Sequence, residues 1–214
     1  MKYTTAIMTT SLYLLKHASA FTSPALKHAS KTTVARIPLA TFATRATAPP
    51  TVETTDQLQE TFNDQVTREL SASQLYLSAS IWAEQHEFTG MAKYFRSESE
   101  EERGHALAFV DFANKRQIPL QLQDIAAPAS QWSSPSDLWE HLLKAEEDNT
   151  AWLRELGQIA EDESDVSLKT FLDPFHMEQV NSEDSLRTIL TKVRDMENSG
   201  IIHQLDSELG QEAA

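Results

Sequence analysis

The sequence predicts an all-α domain: four long helices in a bundle, a long crossover between the second and third, and a short fifth helix at the C-terminal end. Three observations carry this reading. Apolar residues recur at alternating spacings of three and four over four long stretches, the rhythm of one helix face, and a stretch of about 30 residues makes a helix of roughly 45 Å. Strand-like alternation, hairpin signals and repeats of solenoid length are all missing. Punctuation is sparse: of five glycines, Gly90 separates the first pair of stretches and Gly200 the last, while Pro119, Pro128 and Pro135 fall in one connection, 118–135.

The first helix is expected over 55–86, with Leu58, Phe62, Val66, Glu69, Ser73, Tyr76 and Ser80 along one face. The second, over 89–117, places Met91, Phe95, Glu98, Glu102, His105, Phe109 and Phe112 in line. The third, over 135–163, reads Trp139, Leu142, Glu146, Asn149, Leu153, Leu156 and Ala160. The fourth, over 165–198, reads Leu168, Leu172, Phe175, Gln179, Ser182, Leu186, Ile189 and Val193, with Pro174 expected to kink it by removing a backbone donor. A short fifth helix is expected over 200–209.

Each of these faces is apolar except near its middle. One carboxylate in one stripe is equally well a surface residue on a misphased face. Glu69, Glu102 with His105, Glu146 and Gln179 interrupting four stripes at a common level are not so easily dismissed. Buried ionised carboxylates are costly unless they are paired or coordinate a metal, so several at one level demand a cation. Glu102 and His105 stand at i and i+3 on one helix face, a weak signal alone and a strong one opposite Glu69 and Glu146. An oxygen-rich site with one imidazole suits iron, manganese or zinc.

Composition narrows the chemistry further. The 214 residues include no cysteine, which excludes disulfides, thiolate metal sites, iron–sulfur clusters and cysteine nucleophiles. The five glycines form no phosphate-binding loop. Charge divides the chain sharply: residues 1–52 hold six Lys/Arg and no acid, and the remainder holds all 32 acids with twelve bases. The acidic part would attract cations and argues against nucleic-acid partners. Residues 1–50 are read as a removable address, with a short apolar stretch followed by a Ser/Thr/Ala-rich, acid-free segment, and 51–214 as one domain with no membrane association in the mature form. The apolar stretch is too short to span a membrane. His86, His141 and His203 are expected at the surface, His176 as structural, and Trp82, Trp139 and Trp152 as core or interface packing.

The motifs resemble those of the ferritin family over essentially everything after the leader. Arg68-Glu69-Leu70-Ser71-Ala72-Ser73-Gln74-Leu75-Tyr76 is similar to the first-helix motif with its iron-binding Glu and nearby Tyr, and Glu101-Glu102-Arg103-Gly104-His105-Ala106 to the E-E-R-x-H-A of the second helix. Lys144-Ala145-Glu146 and Glu178-Gln179-Val180 match the third-helix carboxylate and the fourth-helix E-Q-V. The resemblance implies a non-haem ferritin: a di-iron centre with Glu69, Glu102 and His105 on the first iron, Glu102 and Glu146 on the second, and Glu101 and Gln179 adjacent. It implies oxidation of Fe(II) by dioxygen and storage as ferric mineral inside a homo-oligomeric shell of 24 subunits. Alternatives are a di-iron oxidase or oxygenase of an organic substrate and a non-catalytic storage subunit. Tyr76 would donate a hydrogen bond to a ligand or supply an electron, or else be a core aromatic with a satisfied hydroxyl. Glu98, one turn before Glu102, stands where diatom-type ferritins place a third-site acid. The junction Ala18-Ser19-Ala20-Phe21 resembles the cleavage motif of plastid pre-sequences in algae with secondary plastids, the alternative being a plain secretory signal.

Departures from the family pattern refine these expectations. Asn181, three residues after Glu178, disfavours the bacterioferritin and rubrerythrin subtypes, and Arg103 in place of a methionine argues against haem. Ser182 replaces a third-site acid, with Glu183 turned about 100° away, so a third iron is expected to bind weakly. Gly104, Leu107, Lys169 and Leu172 stand roughly where other ferritins carry nucleation or channel acids.

Overall fold

The computed structural model describes residues 55–212, leaving the expected pre-sequence 1–50 outside the described residues. Five helices follow in order: α1 (Asp56–Gln85), α2 (Thr89–Arg116), α3 (Pro135–Asp162), α4 (Val166–Asn198) and α5 (Ile202–Glu212). No strand occurs among the described residues, and no helix is long and apolar enough to cross a membrane. Tight turns join α1 to α2 and α3 to α4, so each pair packs as an antiparallel hairpin, while 117–134 runs the length of the bundle between the hairpins.

Local chemistry sets each helix end. Thr55 accepts from the Leu58 amide at 3.1 Å, and Ser134 accepts from Asp137 N at 3.2 Å ahead of Pro135, where a proline loses no helical hydrogen bond. Asp137 returns the favour by accepting from the backbone and hydroxyl of Ser133 at 2.8 and 2.9 Å. Three turns close on non-glycine residues with left-handed backbones, Glu87, Gln117 and Ser164, with φ of 64°, 59° and 54°. At Gln117 the following amide, Ile118 N, reaches back to Ala113 O at 2.9 Å, as in a Schellman closure. α4 continues through Pro174 from end to end.

Gly90 does not separate helices as its position in the sequence suggests. It lies in the first turn of α2, where the α5 backbone passes so closely that a Cβ would overlap the carbonyl of Asp206. Gly210 faces it, with 3.0 Å from an added Cβ to Gly90 Cα. The carboxylate of Asp206 accepts from Met91 N at 2.7 Å and so satisfies a free amide at the α2 N-terminus. Gly200, at φ +69°, does mark the break before α5.

Two apolar clusters fill the bundle. One gathers Leu58, Phe62, Val66, Phe109, Leu153, Leu172 and Phe175; the other gathers Tyr76, Phe95, Trp139, Leu142, Leu186 and the buried residues of α5. The gap between them falls after Val66 and before Tyr76 on α1, and at the matching level of the other three long helices. That gap is the polar layer.

Asp165 ties the second hairpin to the first. Nearly buried at 4% exposure, it caps Leu168 N at 3.0 Å and takes both arms of Arg116 from α2 at 3.0 and 2.7 Å. Burial works to raise its carboxyl, but Arg116 and the Leu168 amide outweigh it and hold the group below the usual carboxylate range. Its contribution is therefore present above that range and lost as pH falls through the lowered value. Asp165→Ala is expected to destabilise the fold by about 2 kcal/mol at neutral pH, from the lost cap and charge-assisted hydrogen bonds, and by less at pH 3, which thermal unfolding at the two pH values checks.

Candidate metal centre

The polar layer is built from one side chain per helix on the faces the periodicity picked out. Glu69 on α1, Glu102 on α2, Glu146 on α3 and Gln179 on α4 are all buried, at 1–5% exposure. His105, one turn beyond Glu102, keeps 16% of its side chain accessible. Its Nδ1 faces Glu102 Oε2 at 3.4 Å and Glu69 Oε2 at 3.9 Å. One ligand atom from each of Glu69, Glu102 and His105 lies within 4.8 Å of the others, close enough to share one ion.

The carboxylates are unequally satisfied. Glu146 accepts from the Tyr76 hydroxyl at 2.6 Å through Oε1 and from Gln179 Nε2 at 3.0 Å through Oε2. Glu69 accepts from Gln65 Nε2 at 2.7 Å through Oε1 only. Glu69 Oε2 and Glu102 Oε2 are buried with no hydrogen-bond partner. Two buried carboxylate oxygens that accept no hydrogen bond and face one imidazole nitrogen suit a shared cation.

Electrostatics agree. Burial, then the neighbouring Glu102, pushes the Glu69 carboxyl well above the usual range; burial, then Glu146, raises Glu102; burial also raises Glu146 against the opposing hydrogen bonds of Tyr76 and Gln179. Glu98, half-buried on the same face of α2, is raised by burial and by Glu101. Burial and Glu146 push the Tyr76 phenol up, so it stays protonated and serves as a donor. Burial opposes charge on His105, yet the Glu102 carboxylate facing its Nδ1 and the hydrogen bond to Glu178 win and hold it at about 12. Without a metal those contacts favour its imidazolium form. A metal taking Nδ1 must displace that proton, leaving Nε2–H on Glu178 at 3.1 Å.

Glu178 is the residue that helical periodicity missed. It lies one position off the α4 stripe, half-buried, and closes a second group with Glu101 and His105 whose ligand atoms also lie within 4.8 Å. The available signal is its place in Glu178-Gln179-Val180, a match that points to Gln179 as the residue beside the iron. Ser182 is half-buried on the α4 stripe, and Glu183 is engaged elsewhere, accepting from Thr150 Oγ1 at 2.6 Å and pairing with Arg187. Trp152, expected in core or interface packing, lies outside the subunit core at 40% exposure, with the Arg68 guanidinium 3.6 Å above its ring, because the α3 stripe turns Leu153 inward. Trp82 and Trp139 are buried, and His86, His141 and His203 are exposed as expected.

Ionising Glu69 costs the metal-free fold stability: its folded pKa is raised, so the unfolded chain gives up the proton first and stability falls as pH climbs from the ordinary carboxyl range. Glu69→Gln is therefore expected to match the parent near pH 4.5 and to exceed it at pH 8 by on the order of 1 kcal/mol in the presence of chelator. Thermal unfolding across that range checks both ends.

The chain matches the ferritin-like domain family over residues 59–196. A bacterial non-heme ferritin of Bacteroides fragilis is 33% identical over 156 residues, 73% of this chain and 98% of the relative. A bacterial non-heme ferritin of Staphylococcus aureus is 28% identical over 156 residues, covering 72% and 93%. Among solved structures, apo-ferritin from Pseudo-nitzschia multiseries superposes with a TM-score of 0.70 at 48% identity, covering 72% of this chain and 98% of that one. A PmFTN variant soaked in iron overnight gives the same TM-score at 48% identity, over 71% and 99%. The match runs through all four long helices and the acidic layer they enclose, and on that footing the chain belongs to the ferritin family, the iron-storage proteins its motifs resemble.

Proposed function

We propose that the chain is a ferroxidase subunit: it oxidises Fe(II) with dioxygen at an intrasubunit centre and delivers ferric iron to storage within a homo-oligomeric shell of 24 copies. The observation that carries the reading is the pair of partnerless buried oxygens, Glu69 Oε2 and Glu102 Oε2, converging on His105 Nδ1. Fe(II) is the substrate. One iron takes Glu69, Glu102 and His105; a second takes Glu102 and Glu146, with Gln179 and Glu101 beside them. Two irons each give one electron, and dioxygen takes both together with two protons from solvent, so that two Fe(II) become two Fe(III) and the oxygen leaves as hydrogen peroxide. Hard carboxylate donors favour Fe(III) over Fe(II) and so favour the oxidation. Tyr76 and Gln179 hold the Glu146 plane, and Glu178 orients the imidazole. An oxygenase of organic substrates is the weaker reading, since on α4 Glu178 is followed three residues later by Asn181, not by the histidine of a second Glu-x-x-His.

Stopped-flow oxidation of Fe(II) in air by the assembled protein tests this. The parent is expected to show a fast phase that Glu102→Ala and His105→Ala each slow by at least the roughly 10- to 100-fold typical for loss of an outer-shell partner. Unchanged initial rates in both variants would sink the assignment.

A third iron is proposed to bind weakly beside Glu98, Glu101 and Glu178. The next residue of the α4 stripe after Gln179 is neutral Ser182, half-buried, and the acid beside it, Glu183, is held by Thr150 and Arg187. Anomalous diffraction after aerobic iron soaking is expected to show two strong positions and a faint third that Ser182→Glu fills. A third iron at full occupancy on Glu98 in the parent would contradict this.

A further inference from the structure

Beneath the centre, two amides form a brace that ferroxidase chemistry does not by itself require. Gln65 is one turn before Glu69 on α1, is 1% exposed, and spends its Nε2 on two acceptors: Glu69 Oε1 at 2.7 Å and Asn149 Oδ1 at 2.9 Å. An amide nitrogen carries two hydrogens, so both are committed. Asn149 comes from α3, 9% exposed, one turn past Glu146 in a stripe that continues inward as Leu153 and Leu156. A buried polar side chain in such a stripe is tolerated only when bonded, and Asn149 is bonded to Gln65. The Gln65 amide plane is thus fixed from two helices, and one hydrogen is aimed at a single oxygen of Glu69. The other oxygen, Oε2, is the partnerless one that faces His105.

We infer that Gln65 and Asn149 are positioning residues that restrict Glu69 to binding the first iron through Oε2 alone, an inference resting on the ferroxidase reading above. A carboxylate free to slide between one-oxygen and two-oxygen binding changes the coordination number of its metal. Tying Oε1 to a braced donor prevents the slide and keeps a coordination position open for dioxygen.

Co(II) reports coordination number without turnover, because its visible d–d absorption weakens as ligands are added. The assembled parent, titrated anaerobically with Co(II), is expected to give the intense band of a low-coordinate ion, and His105→Ala to abolish it. Gln65→Leu frees Oε1 and is expected to lose intensity as Glu69 binds through both oxygens. Asn149→Leu extends the apolar run of Leu153 and Leu156, leaves the Gln65–Glu69 contact unbraced, and is expected to shift the band in the same direction by less. Parent-like spectra in both variants would overturn the inference while leaving the centre itself intact. A band that survives His105→Ala would instead remove the metal from this centre and overturn both readings.

Discussion

Anionic oxygens in the dry middle of a helical bundle repel one another and lack the water that would stabilise them elsewhere, and the architecture here is organised around that constraint. Glu69, Glu102 and Glu146 share one layer, each with its carboxyl raised by burial and none paired with Lys or Arg among the described residues. The positive charge nearest to hand is the imidazolium of His105, which those same carboxylates stabilise. Such an arrangement is poor as a source of stability, since a buried charge set of this kind is often outperformed by apolar packing. Its retention makes sense as a binding site whose ligand supplies the missing charge.

The neighbours of the layer divide the labour. Tyr76 and Gln179 satisfy both oxygens of Glu146, Gln65 satisfies one of Glu69, and Glu102 Oε2 is left with none. The satisfaction declines toward α2 and His105, which marks where a cation is most needed. Aromatic rings close the layer above and below. Phe175 meets the His105 ring edge-on at 5.5 Å, and Phe95 lies 6.5 Å from Tyr76 and 4.8 Å from Trp139. These rings exclude water and keep the electrostatic interactions of the layer strong.

Because every inner residue sits on a long helix, the geometry inherits the rigidity of the bundle. Loops contribute nothing to the layer itself. The crossover is pinned from outside, through Asn63 Oδ1 accepting from Gln121 N at 2.7 Å and Ser78 donating to Ala129 O at 2.6 Å. α5 locks onto the α2 N-terminus through Asp206 and the Gly90–Gly210 crossing, at the end of the bundle remote from the centre.

Helix periods, capping residues and the polar interruptions of apolar stripes are local properties, and the sequence by itself determined them: the helix boundaries agree with the structure within a residue or two except at the end of the short α5, and Glu69, Glu102, His105, Glu146 and Gln179 meet because equal rhythms on four helices bring their midpoints level. Gly90 looked like a break because glycine usually is one; only the approach of a helix more than 110 residues later reveals it as a contact point. Periodicity does not place Glu178 at the centre, because a residue one step off a stripe is inward or outward depending on the exact rotation of its helix, which neighbouring helices decide. The same holds for the brace of Gln65 and Asn149, joined across 84 residues. Periodicity specifies which face is buried, but the rotation, the partner of each polar atom and the oxygen left unsatisfied are set by packing between helices, and those were decided by the tertiary structure alone.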